Sequence, residues 1–90
     1  MPTVNFTYAL KRFYPKLKPM ELSVEKVSEV ITEIEKEYPG LENYLLDELG
    51  RLRQHVNIFV DGDLIKDREK LSDSISKNSE VFIMQALSGG

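Results

Sequence analysis

The feature that most limits the fold of this 90-residue chain is one long amphipathic helical segment with strand patterns on both sides. Its apolar side chains recur at helical spacing, and they are Val24, Val27, Val30, Ile31, Ile34 and Tyr38. Ser23 is a favourable N-cap, and Pro39-Gly40 predicts the end of the helix. A single helix with one apolar face buries that face most economically against a sheet.

Strand patterns account for much of the remaining sequence. The predicted strands are residues 3–9, 20–22, 56–60, 64–65 and 80–87. In the first of them Val4, Phe6 and Tyr8 share one face, which is the alternation of a half-buried strand. It forms a hairpin with 20–22 across a basic loop at 10–19, and Asp61-Gly62 predicts a two-residue hairpin turn.

Two other segments complete the predicted order of elements. Residues 41–50 predict a short second helix that ends at Gly50, and residues 66–79 are polar with Leu71 and Ile75 as anchors.

Strands and helices interleave but are too few for a doubly wound sheet. We therefore predict an α+β fold of the β-grasp (ubiquitin-like) type, a mixed four- to five-stranded sheet with one long helix packed across it. The single domain is predicted to cover residues 1–87, and residues 88–90 a flexible C-terminal tail ending in Gly-Gly.

Composition excludes several kinds of chemistry. Without cysteine there is no disulfide, thiolate nucleophile, cysteine-ligated zinc or iron–sulfur cluster. One histidine, His55, argues against a histidine-rich metal site, so we predict no bound cofactor and no metal. A net charge of −3 argues against a dedicated nucleic-acid partner. The lack of a long apolar run or a signal-peptide pattern predicts a cytoplasmic protein with no membrane partner, monomeric in isolation.

The most informative functional feature is the end of the sequence. The last predicted strand runs directly into Ser88-Gly89-Gly90. Two glycines carry no Cβ, so the backbone can enter a narrow channel and approach another active site closely. A partner enzyme could activate the Gly90 carboxylate with ATP, and a sulfur donor or an amine could then attack the carbonyl carbon.

Two stretches carry a resemblance to a known family, namely Ala86-Leu87-Ser88-Gly89-Gly90 and residues 50–62. Together with the β-grasp order of elements, they resemble the ubiquitin-like sulfur carriers: the small subunit of molybdopterin synthase, the thiamine-pathway carrier and the ubiquitin-related modifiers. The second stretch is most similar to the carriers of an alternative cysteine-synthesis pathway. Asn78-Ser79-Glu80 departs from the family's usual Gly-Asp-Glu.

The resemblance implies that an E1-like enzyme, which consumes ATP, adenylates Gly90 and that the adenylate becomes a thiocarboxylate. Sulfur would then pass to an acceptor enzyme in cysteine, molybdopterin or tungstopterin, thiamine or tRNA-thiolation chemistry. Gly90 is the reacting residue, Gly89 gives clearance, and the chain is a carrier and not an enzyme. Two alternatives are a protein modifier joined through Gly90 to lysines of target proteins, and a non-covalent β-grasp binding module.

Alternation in the last strand also predicts a partner-binding surface. Val81 and Ile83 match the inward set of apolar residues, which leaves the intervening side chains facing outward. The predicted partner-binding residues are Phe59, Phe82, Met84, Ala86, Leu87 and Ser88. An exposed apolar patch beside a reactive tail is typical of a docking surface. The alternatives are an inverted facing or a patch covered by the 41–50 helix.

Three weaker patterns favour structural roles. Residues 11–18 interleave bases with aromatics, and we favour a solvated loop whose Phe13 and Tyr14 tuck back onto the sheet over contact with nucleic acid or an acidic partner. Asp61-Gly62-Asp63 lacks the other ligands of a calcium loop and predicts a turn. The glutamates of the long helix predict a solvated face.

Overall fold

A computed structural model of the chain describes residues 1–85, which form one mixed sheet and three helices. In chain order these elements are β1 (Thr3–Phe6), α1 (Tyr8–Lys11), β2 (Met20–Glu21), α2 (Val27–Glu37), α3 (Leu41–Leu45), β3 (Val56–Val60), β4 (Asp63–Leu64) and β5 (Glu80–Gln85). Among these elements only α2 is a long helix, as predicted.

The five strands are ordered β2-β1-β5-β3-β4 across the sheet. β1 pairs antiparallel with β2 and parallel with β5, and β5 pairs antiparallel with β3. The predicted mixed sheet is therefore confirmed. Its inner face and α2 bury one apolar core, which includes the fully buried Val4, Val30, Ile58 and Ile83.

Helix α2 begins later than predicted, and Ser23 is not its N-cap. Lys26 holds that position with extended backbone, because residues 25–27 pair with the 66–79 segment. The Ile75 N–H donates to the Glu25 carbonyl and the Val27 N–H to the Asp73 carbonyl. The Glu29 carboxylate accepts from the Glu25 and Lys26 N–H groups at 2.7 and 3.3 Å, so it supplies half of a capping box.

The predicted strand at 3–9 is too long. β1 ends at Phe6, and Tyr8 is exposed on the short helix α1. The predicted basic loop at 10–19 is only partly a loop, because α1 extends to Lys11. Leu10 and Leu17 are buried and bring the chain back to the core.

The second helix is also shorter than predicted. α3 ends at Leu45, since the next residue, Leu46, is extended and forms a β-bridge with Leu52. Gly50 has φ of +80° in the turn between them, so it closes that turn and not the helix. The Asp47 carboxylate holds the same turn by accepting from the Leu49 and Arg51 N–H groups.

The Asp61-Gly62 turn is confirmed, with φ of +52° and +88° at its two residues. It places β4 at Asp63–Leu64, one residue earlier than predicted. In the polar segment at 66–79, both predicted anchors are buried. The Asp67 and Asp73 carboxylates hold its backbone by accepting hydrogen bonds from nearby N–H groups.

Candidate functional site

The site predicted from the sequence adjoins the last described part of β5. β5 is the central strand, and its last described residue, Gln85, lies opposite Val56 of β3. On the other side the Thr7 N–H donates to the Ile83 carbonyl at 3.0 Å, and the Thr7 hydroxyl accepts from the Gln85 N–H at 3.3 Å. These bonds fix the position of Gln85, from which the tail is predicted to follow.

The predicted reactive residues, Gly89 and Gly90, lie outside the described residues. The same is true of three predicted partner-binding residues, Ala86, Leu87 and Ser88. Their roles stay predictions from the sequence.

Beside the end of β5, the facing predicted for this strand is confirmed. Val81 and Ile83 are fully buried, whereas Phe82 is 37% exposed on the outer face of the sheet. Phe82 lies directly opposite Phe59 of β3, which is half-buried on the same face. Met84 is also half-buried there, opposite Asn57. The structure therefore places all three described members of the predicted docking surface together.

Leu64 is a fourth member of this surface that the sequence analysis missed. It lies directly opposite Phe59 across β3 and β4, and its side chain is 54% exposed. The two-residue turn at 61–62 carried the signal, because such a turn pairs residue 60 with 63 and residue 59 with 64. We call Phe59, Leu64, Phe82 and Met84 the outer patch.

Arg68 borders the outer patch at the end nearest the tail. Its guanidinium donates to the Asn57 side-chain oxygen at 3.1 Å and to the Arg53 and Val56 carbonyls at 2.6 and 2.8 Å. It therefore places a positive charge beside the start of β3, where Arg53 and the exposed His55 also lie. At the other end of β5, Glu80 and Asp61 carry negative charge. The outer patch thus lies between a basic and an acidic margin.

Two carboxylates of this fold have lowered pKa values because they hold turns of the backbone. Hydrogen bonds from the Gly40 and Glu42 N–H groups lower the pKa of Glu35, and one from the Arg51 N–H does most to lower that of Asp47. Both are surface carboxylates that hold turns.

Within residues 1–85, no cluster of three or more metal-ligating side chains occurs. None of the described helices has the length and apolar character to cross a membrane.

The strand order, the long helix across the sheet and the central last strand define a ubiquitin-like β-grasp protein. A family model described as the ThiS family matches residues 9–90 of the chain. The chain belongs to the ThiS family.

Comparison with known proteins agrees with this assignment. The sulfur carrier protein CysO of Mycobacterium tuberculosis is 28% identical over 90 residues, which cover 98% of this chain and 97% of that protein. Its crystal structure has a TM-score of 0.81 at 26% identity and covers 97% of this chain and 100% of CysO. The name of this relative is that of a sulfur carrier, which agrees with the prediction that this chain is a carrier.

Two further structures share the fold. A chain of the BexX/CysO complex of Amycolatopsis orientalis has a TM-score of 0.84 at 22% identity, with both chains fully covered. The small archaeal modifier protein SAMP1 of Methanosarcina acetivorans has a TM-score of 0.78 at 24% identity, covering 99% of this chain and 95% of that one.

Proposed function

We propose that this protein carries sulfur on the carboxyl group of Gly90. The carboxylate attacks the α-phosphate of ATP in an E1-like enzyme, releasing pyrophosphate and leaving an acyl adenylate. Sulfide then attacks the carbonyl carbon, the bond to AMP breaks with AMP as the leaving group, and a thiocarboxylate remains. This thiocarboxylate gives its sulfur to a biosynthetic acceptor.

The observation that carries the proposal is the family match, which extends over residues 9–90 and so includes both terminal glycines. The sulfur carrier CysO, at 28% identity over nearly the whole chain, supports the same role. The described fold is compatible with it, since β5 is held on both sides up to Gln85 and the tail is predicted to follow from there.

The outer patch is proposed as the surface on which partner enzymes dock. Phe82 and Phe59 lie directly opposite each other in the strand register, and Leu64 extends the apolar surface to the sheet edge. Exposed aromatic and apolar side chains in one contiguous patch are typical of an interface centre, and methionine adapts to partners of different shape. Ala86, Leu87 and Ser88 would continue this contact toward Gly90.

The chemical proposal is tested by intact-mass measurement after incubation of the protein with extract of its own cells, ATP and a sulfide source. The expected result is a mass gain equal to the difference between sulfur and oxygen, absent without ATP and absent in a variant lacking Gly90. A diglycine carrier known to be activated by that extract serves as the positive control. If that carrier is activated and this chain gains no mass, the proposal is wrong.

The same experiment separates the alternatives. Species of higher mass in which Gly90 is joined to lysines would make the protein chiefly a modifier. A third alternative needs a functional assay in the cell: full biological activity after removal of Gly89 and Gly90 would make the protein a non-covalent binding module.

The docking proposal is tested by comparing two truncations of exposed apolar side chains. We expect Phe82→Ala to slow ATP-dependent activation by about fivefold or more at limiting carrier concentration, because truncation of an aromatic anchor at an interface centre costs at least ~1 kcal/mol. Leu49→Ala is the matched control, since Leu49 is exposed in the 47–50 turn and lies outside the outer patch. Equal rates for the two variants would show that the outer patch is not the docking surface.

A further inference from the structure

A second exposed surface lies on the helix side of the molecule, and the proposed carrier chemistry does not use it. Phe13 stacks on Tyr44 of α3, with ring centroids 4.9 Å apart and planes 29° apart. Phe13 is nevertheless 53% exposed and Tyr44 39% exposed. The expectation that Phe13 tucks back onto the sheet is therefore wrong, and an aromatic stack lies open to solvent.

This stack is held in place by its neighbours. Tyr14 packs edge-on against both Tyr38 and Tyr44, at centroid distances of 6.3 and 5.8 Å. The Tyr14 hydroxyl donates to the Pro39 carbonyl at 3.3 Å, and the Tyr38 hydroxyl donates to the Lys16 carbonyl at 3.4 Å. Phe13 thus protrudes between the fully buried Leu10 and these anchored residues, and a partner would meet a preformed surface.

The segment that carries Phe13 is rich in basic residues. The basic segment, residues 11–18, contains Lys11, Arg12, Lys16 and Lys18 and no acidic residue. Among residues 1–85, the ion pairs are Lys36 with Glu33 and Arg51 with Asp47, so none of these four cations has a carboxylate partner there. The Glu35 carboxylate, which lies near Tyr14, accepts from the Gly40 and Glu42 N–H groups.

We propose that the basic segment together with Phe13 and Tyr44 is a second docking surface, which binds an acidic segment of a partner protein. Charge complementarity identifies the occupant. The segment carries +4, whereas the remaining 8 basic and 15 acidic residues give the rest of the chain −7. A short acidic peptide can end within the positive region, but a nucleic acid carries charge along its whole length and would extend over the acidic remainder.

This second docking surface and the outer patch lie on different sides of the molecule. The outer patch lies on the face of the sheet that α2 does not cover, whereas Phe13 and Tyr44 lie beside α2 and α3. One carrier can therefore hold an acidic protein segment on its helix side while the outer patch is occupied.

The test uses the whole chain and a labelled peptide of glutamates around one central tyrosine. Its glutamine counterpart and an oligouridine of similar length are compared by fluorescence anisotropy and by NMR amide shifts. We expect the glutamate peptide to bind more tightly than both, with shifts concentrated at residues 11–18 and at Tyr44. The double variant Arg12→Glu/Lys16→Glu should weaken binding by at least about tenfold, since it replaces attraction with repulsion at the surface.

The matched control is Lys66→Glu/Lys77→Glu, which changes the net charge equally at two exposed lysines outside this surface. Its affinity should stay within about twofold of the wild type. Phe13→Ala should weaken binding several-fold without a change in melting temperature, because the side chain is mainly exposed.

Three results would overturn the proposal. They are equal binding of the glutamine peptide, an equal loss in the Lys66/Lys77 control, and tighter binding of oligouridine at the same residues, which would assign the surface to nucleic acid. None of these readouts depends on Gly90, so this proposal and the carrier proposal fail separately.

Discussion

Single carboxylates hold the irregular parts of this fold, and Asp67 accepts the largest set of hydrogen bonds among them. The bonds come from the Lys70, Ser72 and Glu69 N–H groups and from the Ser72 hydroxyl. These donors, the Lys70 N–H first among them, favour the charged carboxylate and lower the pKa of Asp67 to about 2. The polar segment beyond β4 thus depends on the ionised Asp67 as well as on Asp73, which accepts from the Lys66 and Asp67 N–H groups.

This dependence predicts how stability changes with pH. The folded pKa lies below the unfolded value of about 3.9, so the contribution of Asp67 is fully present above that value and is lost as the pH falls toward about 2. We expect Asp67→Asn to lower the free energy of unfolding at pH 7 and to lessen its decline in acid. Urea unfolding at several pH values measures both effects, and Asp63→Asn, at an exposed carboxylate of β4, is the control. Parallel pH profiles for Asp67→Asn and the wild type would contradict the assignment.

Gly40 gives a second prediction at this scale. Its φ is +96°, and a Cβ added there would lie 2.9 Å from the Tyr14 hydroxyl oxygen. Gly50 has a φ of +80° with open space around it. We expect Gly50→Ala to cost about 1–2 kcal/mol from the left-handed backbone alone and Gly40→Ala to cost more. Chemical denaturation measures both, and Tyr14→Phe should remove most of the difference. Equal costs would mean that the hydroxyl moves aside freely.

At the scale of elements, the start of α2 has two candidate capping residues, Glu29 and Ser23. The described contacts favour Glu29, which accepts from two N–H groups before the helix, over the exposed Ser23. Glu29→Ala should lower the free energy of unfolding by about 1 kcal/mol, and Ser23→Ala should change it by only a few tenths. Thermal or urea unfolding compares them. A larger loss for Ser23→Ala would restore the start predicted from the sequence.

Elements with a strong period were predictable from the sequence, and the short strands β2 and β4 were placed to within one residue, whereas α1 was missed and α3 was predicted too long. The apolar spacing in α2 and the alternation in β3 and β5 match the faces that these elements bury, so the facing of Phe82 could be predicted. α1 was missed because its first residue, Tyr8, continues the alternation of Val4 and Phe6 in β1. The early end of α3 depends on the bridge between Leu46 and Leu52, which is a tertiary contact. The place of Leu64 in the outer patch follows only from the register of the 61–62 turn, which pairs it with Phe59.

At the scale of the whole molecule, folding and the proposed chemistry should be separable. The described core extends from Val4 to Ile83, and the two terminal glycines have no side chain to add to it. We expect removal of Gly89 and Gly90 to leave the melting temperature within about 2 °C of the wild type, a shift that corresponds to well under 1 kcal/mol for a domain of this size. Circular dichroism measures the melting, and intact mass measures loss of activation in the same sample. A large drop in melting temperature would show that the glycines stabilise the domain.

The position of β5 also has a mechanical consequence. A partner that binds the residues after Gln85 applies tension along an interior strand, which has hydrogen-bonded neighbours on both sides, β1 and β3. Such a load acts on the rows of bonds to β1 and β3 together, in shear, whereas an edge strand peeled from its end gives way one bond at a time. The strand that leads into the proposed reactive end is thus among the hardest to pull out. A partner enzyme could hold and release that end repeatedly without unravelling the carrier.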